Sequence, residues 1–280
     1  MSLIWNRGTP FSKNVLSDIS LEIPSGQFVA LLGPSGAGKS LFAQVVGGLR
    51  FPDRGSVTVG SFRISKTNKQ LHRLRKSIGF VFQQPEHQLV RETVEEDIAL
   101  RLSPYDASFP PELESRVELM MERLGLPYGA LRHRSPFRLS PGQMRRIALA
   151  GALIGQPELL LLDEPAAGLD PAGREAMLTC VKELHESRKT TIIYITQRLE
   201  EALEHADRIV VFNKGTIAAD LAPPGVPDHM SELYKAEIVA TPLLKFAERL
   251  YSVAPGLVPR HFVQERAFLM ELAKQIRRKE

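Results

Sequence analysis

The stretch that most constrains this chain of 280 residues is 33–40, which reads Gly-Pro-Ser-Gly-Ala-Gly-Lys-Ser. It fills every fixed position of the phosphate-binding pattern G-x-x-x-x-G-K-[ST]. Its glycines allow a tight turn with inward-facing N–H groups, and the helix that begins at its end adds partial positive charge. The spacing therefore predicts a loop that holds the phosphates of a nucleoside triphosphate.

The side chains at the end of this loop have separate predicted roles. Lys39 reaches the β- and γ-phosphates as a mobile point charge, and the Ser40 hydroxyl binds a Mg²⁺ ion that bridges them. The other predicted nucleotide contacts are Gly33, Pro34, Ser35, Gly36, Ala37, Gly38 and Leu41.

The flanking sequence supports this interpretation. Residues 28–32 form an unbroken apolar run, typical of a buried parallel strand, and residues 41–46 are compatible with a helix. The alternative is a glycine-rich turn between two core elements, which the Lys-Ser ending disfavours. The spacing G-x-G-x-x-G of a dinucleotide-binding loop is absent from this segment.

The amino-acid composition limits the classes of protein to which the chain can belong. The chain has 36 Lys and Arg against 32 Asp and Glu, a mild excess that gives +4 and does not indicate nucleic-acid binding. The single cysteine, Cys180, excludes an intramolecular disulfide, and we expect a buried thiol in a helix over 171–187. Neither an apolar run of about 18 residues nor a signal-peptide pattern occurs, so we expect the protein to remain in a reducing cytosol.

Strand and helix patterns alternate along the chain and predict an α/β fold with a mostly parallel sheet. Helices are predicted after the capping residues Thr93 and Ser140, the latter followed by Pro141 at the first helical position and by Gln143. The first of these helical patterns extends to about residue 125. Further segments are predicted as strands at 18–23, 55–60, 78–82, 159–163 and 190–196, a hairpin at 208–218, a proline-rich linker at 221–227, and helices at 242–251 and 262–279.

These motifs, in this order, resemble those of ABC-type ATPases over most of residues 5–222. Residues 139–143 resemble the signature L-S-G-G-Q, Asp163-Glu164 resembles a Walker B ending, 167–170 resembles the D-loop, and Gln83 lies where the family has its Q-loop glutamine. The resemblance implies an α/β, P-loop NTPase core with an antiparallel β-subdomain, an inserted helical subdomain and a C-terminal helical extension. We expect the core at 1–86 and 153–223, the helical subdomain at 87–152 and the extension at 224–280.

The family resemblance also implies head-to-tail dimers, with each ATP held between one subunit's phosphate loop and the other's signature helix. Ser140, Gly142 and Gln143 would then contact the partner's nucleotide. Asp163, with Ser40 and Gln83, is expected at Mg²⁺, and Glu164 is expected to orient or deprotonate the attacking water. The alternative for Glu164 is an ordinary surface carboxylate. Trp5 lies where the family has an aromatic that stacks on adenine, although simple packing of a lone tryptophan is the alternative.

Two residues depart from the family pattern. Gln197 occupies the position of the switch histidine, and glutamine donates a hydrogen bond but cannot act as a general acid. Pro141 replaces a glycine and removes one N–H from the signature helix. Because of Gln197 we expect slow hydrolysis on this chain's phosphate loop without weak ATP binding, whereas the defect at Pro141 lies in the other composite site. The alternative is neutral drift in a working enzyme.

Two segments narrow the resemblance to the ATPase subunits of energy-coupling-factor transporters. Residues 82–88 and 134–151 resemble their Q-loop and signature regions. This implies a second, often non-identical ATPase subunit and a membrane coupling subunit, with peripheral attachment to the cytoplasmic face of the membrane. The departures at Gln197 and Pro141 favour a heterodimer. The alternatives are a regulatory subunit with little hydrolysis, or a soluble ABC protein acting on ribosomes or DNA.

Overall fold

A computed structural model describes residues 1–6, 8–84, 87–102, 111–254 and 265–277. The chain divides into two compact units, the first made of Met1–Leu21, Phe28–Leu41 and Ile195–Glu280, the second of Glu22–Gln27 and Phe42–Tyr194. The strands are β1 (Leu3–Trp5), β2 (Lys13–Leu16), β3 (Phe28–Leu32), β4 (Thr58–Val59), β5 (Phe62–Arg63), β6 (Ile78–Val81), β7 (Leu159–Asp163), β8 (Thr191–Ile195), β9 (Arg208–Asn213) and β10 (Thr216–Leu221).

The helices are α1 (Lys39–Val46), α2 (Leu71–Ser77), α3 (Val94–Ala99), α4 (Pro111–Arg123), α5 (Tyr128–Leu131), α6 (Pro141–Ile154), α7 (Pro171–Arg188), α8 (Leu199–His205), α9 (Met230–Lys235), α10 (Pro242–Val253) and α11 (Glu265–Arg277). Two 3₁₀ helices cover Pro136–Arg138 and Pro223–His229. Within the described part of the chain, no helix is both long enough and apolar enough to cross a lipid bilayer.

In the first unit, β3 is the strand that carries the phosphate loop. All five of its residues are buried, as the continuous apolar run predicts for a parallel strand. It pairs in parallel with β9, and β9 forms the predicted antiparallel hairpin with β10. The carboxyl end of β3 is therefore fixed by its ladder with β9, which places the loop that follows.

The C-terminal part of the first unit packs on this sheet. One continuous buried cluster contains Leu32 and Val211 from the strands together with Val226, Leu244 and Phe268. The prediction of a linker at 221–227 is therefore wrong, because Val226 is fully buried in the core and Pro223–His229 forms a 3₁₀ helix. Proline fixes the backbone here without preventing burial.

In the second unit, the strand order is β8-β7-β6, with β6 parallel to β7. Helices α3, α4 and α6 pack against one another in the same unit. Both predicted capping boxes are present, at Thr93 with Glu96 and at Ser140 with Gln143. Cys180 is buried in α7, as expected.

Three local predictions need correction. The segment 18–23 is not a strand, because Asp18 has a φ of 50°, which turns the chain out of the extended conformation after β2. The strand predicted at 55–60 is reduced to β4, paired only with β5. The helical pattern from Thr93 begins with α3, which ends at Ala99, and continues in the separate helix α4 from Pro111; residues 103–110 lie outside the described residues.

Candidate nucleotide-binding and catalytic residues

The phosphate loop belongs to the first unit and begins directly after β3. Gly33 has a φ of 143°, and a Cβ at this position would lie 2.1 Å from the carbonyl oxygen of Phe212. Gly38 has a φ of 102°, and its Cβ would lie 2.6 Å from Leu16 Cδ2. Both positions therefore require glycine. At Gly36, with a φ of 78°, the space beside the loop is open.

Lys39 is held against the loop that it follows. Its side chain is buried, and Nζ donates hydrogen bonds to the carbonyl oxygens of Gly33 and Pro34 at 2.6 and 2.9 Å. The Gly215 N–H donates to the Ala37 carbonyl at 3.1 Å and ties the loop to the turn between β9 and β10. A buried ammonium that faces two main-chain oxygens is placed to exchange them for phosphate oxygens.

Gln197 also lies beside the phosphate loop within the first unit. Its Nε2 donates a hydrogen bond to Ser35 Oγ at 3.4 Å. Thr196, one residue earlier, donates its N–H to the carbonyl of Leu31 at the end of β3, at 3.2 Å. The residue that replaces the expected histidine is thus placed at the phosphate loop.

A buried carboxylate supports this segment, and the sequence analysis missed it. Glu201 is 5% exposed, and its Oε2 accepts a hydrogen bond from the Thr196 hydroxyl at 2.8 Å. Its Oε1 lies 3.3 Å from Arg198 Nε. The residues on both sides of Gln197 are therefore anchored to one carboxylate. Its position on the buried side of α8 was a possible signal, since a carboxylate is rarely buried without partners.

In the second unit, the two predicted carboxylates lie at the carboxyl end of β7. Asp163 is the last residue of the strand and is buried. Glu164 follows with a φ of 49°, a left-handed conformation that is costly for a residue with a Cβ. This local strain turns Glu164 away from the strand direction, and its Oε2 accepts a hydrogen bond from Gln83 Nε2 at 3.3 Å.

Gln83 is held by two residues that sequence reasoning did not identify. The carboxamide of Gln88 accepts from the Phe82 N–H at 3.2 Å and donates to the Phe80 carbonyl at 2.9 Å, which closes the turn after β6. Arg145 Nη2 donates to the main-chain oxygen of Gln83 at 2.8 Å.

The signature segment begins α6. The hydroxyl of Ser140 accepts the Gln143 N–H at 3.2 Å, and the side chain of Gln143 accepts the Ser140 N–H at 3.0 Å. Pro141 is the first helical residue, where its missing N–H breaks no helical hydrogen bond. A Cβ on Gly142 would lie 3.8 Å from the carbonyl oxygen of Gly168, so the first turn of α6 lies beside the D-loop segment.

Trp5 ends β1 in the first unit and is 39% exposed. This exposure leaves its surface accessible to a planar ligand. Stacking on adenine stays a prediction.

The residues present suit a nucleoside triphosphate with Mg²⁺. Ser35 and Gly36 are the exposed part of the loop, Gly36 has open space beside it, and Lys39 provides the positive charge. The oxygen donors of Ser40 and Asp163 are of the kind that Mg²⁺ prefers. In the described ranges no group of three or more His, Cys, Asp or Glu residues could hold a metal ion.

Comparison with known proteins identifies the class. A family model described as "ABC transporter" matches residues 16–167, which is more than half of the chain. Together with the phosphate loop and the two carboxylates at the carboxyl end of β7, this match defines an ATPase of the ABC type. The chain belongs to the ABC transporter family.

Particular relatives narrow this class. The chain is 37% identical over 273 residues to the energy-coupling factor transporter ATP-binding protein EcfA2 of Clostridium tetani, covering 97% of this chain and 92% of the relative. It is 43% identical over 218 residues to the protein of the same name in Clostridium perfringens, covering 78% and 76% of the two chains.

Solved structures agree with the predicted fold. The dimeric ATP-binding cassette MJ0796, in a post-hydrolysis state bound to ADP and Pi, aligns with a TM-score of 0.72 at 27% identity, over 79% of this chain and 96% of that one. The structure of cbiO1 from Clostridium perfringens, part of the ABC transporter complex cbiONQ, aligns with a TM-score of 0.68 at 29% identity, over 88% and 96%. The predicted ABC ATPase fold is therefore confirmed.

Proposed function

We propose that this chain is the ATP-binding and ATP-hydrolysing subunit of an import-type membrane transporter of the energy-coupling-factor class, which takes up a vitamin or a metal ion. The observation that carries hydrolysis is the Glu164 carboxylate beside Gln83, directly after the buried Asp163. The transporter class rests on the relative that is 37% identical over 97% of this chain.

The proposed chemistry is phosphoryl transfer to water. ATP would supply the phosphoryl group, and a bound Mg²⁺ would supply positive charge toward its phosphate oxygens. Lys39 would exchange the carbonyls of Gly33 and Pro34 for phosphate oxygens. Ser40 and Asp163 are the residues that would hold the metal ion. Glu164 accepts the proton of the attacking water, and Gln83 orients the carboxylate through its 3.3 Å hydrogen bond.

We further propose that the site is completed by a second ATPase subunit. The Ser140 hydroxyl and the Gly142 N–H lie at the start of α6, where a helix N-terminus favours an anionic ligand. There they would meet the γ-phosphate on the partner's phosphate loop. The departures at Gln197 and Pro141 favour a non-identical partner that carries the standard residues in both composite sites.

Attachment to the membrane is proposed through a coupling subunit. The segment that follows Gln83 exposes Val90, which is 65% exposed, as an apolar contact for such a partner. In this arrangement the chain stays peripheral on the cytoplasmic face, and movement of the segment is passed to Gln83.

One observation favours a second candidate, a nucleotide-binding subunit with little hydrolysis of its own. Gln197 lies at Ser35 in the position of the switch residue and cannot deliver a proton to phosphate. The two candidate functions predict different results when Glu164 is substituted, because a subunit that only binds ATP does not need this carboxylate for hydrolysis.

The test uses the full chain purified with its native ATPase and membrane partners. We expect Glu164→Gln to lower kcat by about 10²–10⁴-fold while ATP affinity changes little, because a general base is lost and the binding groups stay. Glu158→Gln is the matched control, since Glu158 is exposed and precedes the same strand β7. Unchanged hydrolysis in Glu164→Gln would favour the second candidate, and the absence of ATP binding would contradict both.

A further inference from the structure

Arg145 links the signature helix to the Q-loop of the same chain. It lies in the second turn of α6, and its Nη2 donates to the main-chain oxygen of Gln83 at 2.8 Å. These two residues are 62 positions apart in the sequence. The contact is charge-assisted, which makes it stronger than a hydrogen bond between neutral groups.

Gln83 contacts both Arg145 and the proposed catalytic carboxylate, Glu164. Its main chain is held by Arg145, while its side chain donates to Glu164 Oε2 at 3.3 Å. The carboxamide of Gln88 holds the main chain just before Gln83 through Phe80 and Phe82. Arg145 in α6 is therefore connected to Glu164 through one residue, Gln83.

The D-loop lies next to the same guanidinium. A Cβ on Gly168 would lie 3.6 Å from Arg145 Nη1, and a Cβ on Gly142 would lie 3.7 Å from Leu169 Cδ2. The signature helix, the D-loop and the Q-loop of this chain therefore meet around one arginine.

We propose that Arg145 is a positioning residue that couples the signature helix to Gln83 and Glu164. The proposal rests on the function proposed above, in which the signature helix serves the partner's ATP. Gln83 and Glu164 serve the ATP on this chain's own phosphate loop. Capture of ATP in one composite site then orients the catalytic carboxylate of the other.

The same unit offers a matched control for a merely structural arginine. Arg116 in α4 donates Nη2 to the carbonyl oxygen of Ile154 at 2.9 Å, at the opposite end of α6. This contact has the same donor and the same type of acceptor as that of Arg145, but it does not involve Gln83.

The first experiment measures ATP hydrolysis against ATP concentration in the complete transporter. We expect Arg145→Met to lower kcat about 10-fold or more while KM changes less than about two-fold, because misplaced catalytic groups lower the rate more than the binding. The Hill coefficient should fall toward about 1, since the two sites lose their coupling. Arg145→Lys, which keeps the charge and one donor, should recover part of kcat, and Arg116→Met should match the parent chain in all three quantities.

Two results would overturn the proposal: an unchanged kcat and Hill coefficient in Arg145→Met, or an equal loss in Arg116→Met. A second experiment on the isolated full chain separates this failure from that of the proposed function. Hydrogen exchange over residues 82–84 should rise several-fold in Arg145→Met and not in Arg116→Met, without any nucleotide. Equal exchange in both variants would mean that Arg145 does not hold Gln83. If exchange rises in Arg145→Met but the complete transporter shows no ATPase activity, the proposed function is contradicted instead.

Discussion

The carboxamide of Gln197 donates a hydrogen bond to the hydroxyl of Ser35, with an N···O distance of 3.4 Å. The segment after β8 is thereby connected to the middle of the phosphate loop within one unit. Thr196 and Arg198 fix this segment to the buried Glu201, so Gln197 is presented by a well-anchored main chain. The side chain at position 197 is therefore held beside the phosphate loop.

We expect Gln197→His to raise ATP turnover in the assembled transporter. Histidine donates a hydrogen bond as glutamine does and in addition carries a proton near neutral pH, a contribution that is typically worth about 10²–10⁴-fold in rate. Because the anchors at Thr196 and Arg198 stay, we expect most of this gain to appear in kcat at saturating ATP. Steady-state phosphate release is the measurement.

The control for this variant is Gln70→His, at an exposed glutamine before α2. It makes the same chemical change in the second unit and should leave turnover as it is. A rate in Gln197→His that equals or falls below that of the parent chain would mean that glutamine is the better switch residue in this site.

We expect alanine substitutions at two glycines of the phosphate loop, Gly33 and Gly36, to lower the free energy of unfolding by very different amounts. In Gly33→Ala the new Cβ would lie 2.1 Å from the Phe212 carbonyl, so the ladder of β3 with β9 must shift. We expect a loss of more than about 3 kcal/mol of unfolding free energy from this overlap together with the strained φ. In Gly36→Ala the space is open, and only the positive φ costs about 1 kcal/mol. Urea unfolding of both variants tests this order, and equal losses would contradict it.

We expect Pro141→Gly to lower the stability of the chain and to raise ATP turnover. Replacing proline at the first helical position frees the unfolded chain and should cost about 1 kcal/mol in urea unfolding. The added N–H at the start of α6 should raise turnover at the partner's ATP about 10-fold or less, since a single donor is gained. Pro242→Gly is the control, because Pro242 has the same place in α10 after the capping residue Thr241. If both variants lose stability and neither gains activity, the missing N–H does not limit the site.

Features that depend on a few consecutive residues could be predicted from the sequence. The capping boxes at Thr93 and Ser140 are present because donor and acceptor are three positions apart and need no other segment. The phosphate loop could likewise be predicted from eight consecutive residues, 33–40, although the reason for two of its glycines is not local. Its glycines are required by a left-handed backbone and by the close approach of Phe212 and Leu16, whose positions no local pattern reveals.

Features that depend on distant partners could not be predicted. In the described residues the alternating pattern at 18–23 forms no strand, since only Ile19 exchanges main-chain hydrogen bonds, with Met1, and the turn at Asp18 ends the extended chain. Burial of Val226 depends on helices that follow it, so its proline-rich neighbours suggested a linker instead. The local sequence does not distinguish Arg145 from other helix arginines, because its acceptor on Gln83 lies 62 residues away.

Asp97 in α3 provides a test of how burial of a charge affects folding. Its side chain is 9% exposed, and its Oδ2 accepts the N–H groups of Val90 and Arg91, both at 2.7 Å. Burial raises the pKa of this carboxyl above its ordinary value of 3.8, and the two backbone hydrogen bonds only partly oppose that effect. Asp97 therefore holds the segment after the Q-loop, but its charged form is costly in the folded chain.

The sign of the pH dependence follows from this raised pKa. The protonated carboxyl contributes stability that is complete below the unfolded pKa near 3.8 and is lost as the pH rises through the folded pKa. Asp97→Asn does not titrate, so the stability of the variant relative to the parent chain should improve as the pH rises from about 4 to about 7. Urea unfolding of the variant and of the parent chain at several pH values measures this difference. A difference that is constant, or that improves toward low pH, would mean that the backbone hydrogen bonds outweigh burial at Asp97.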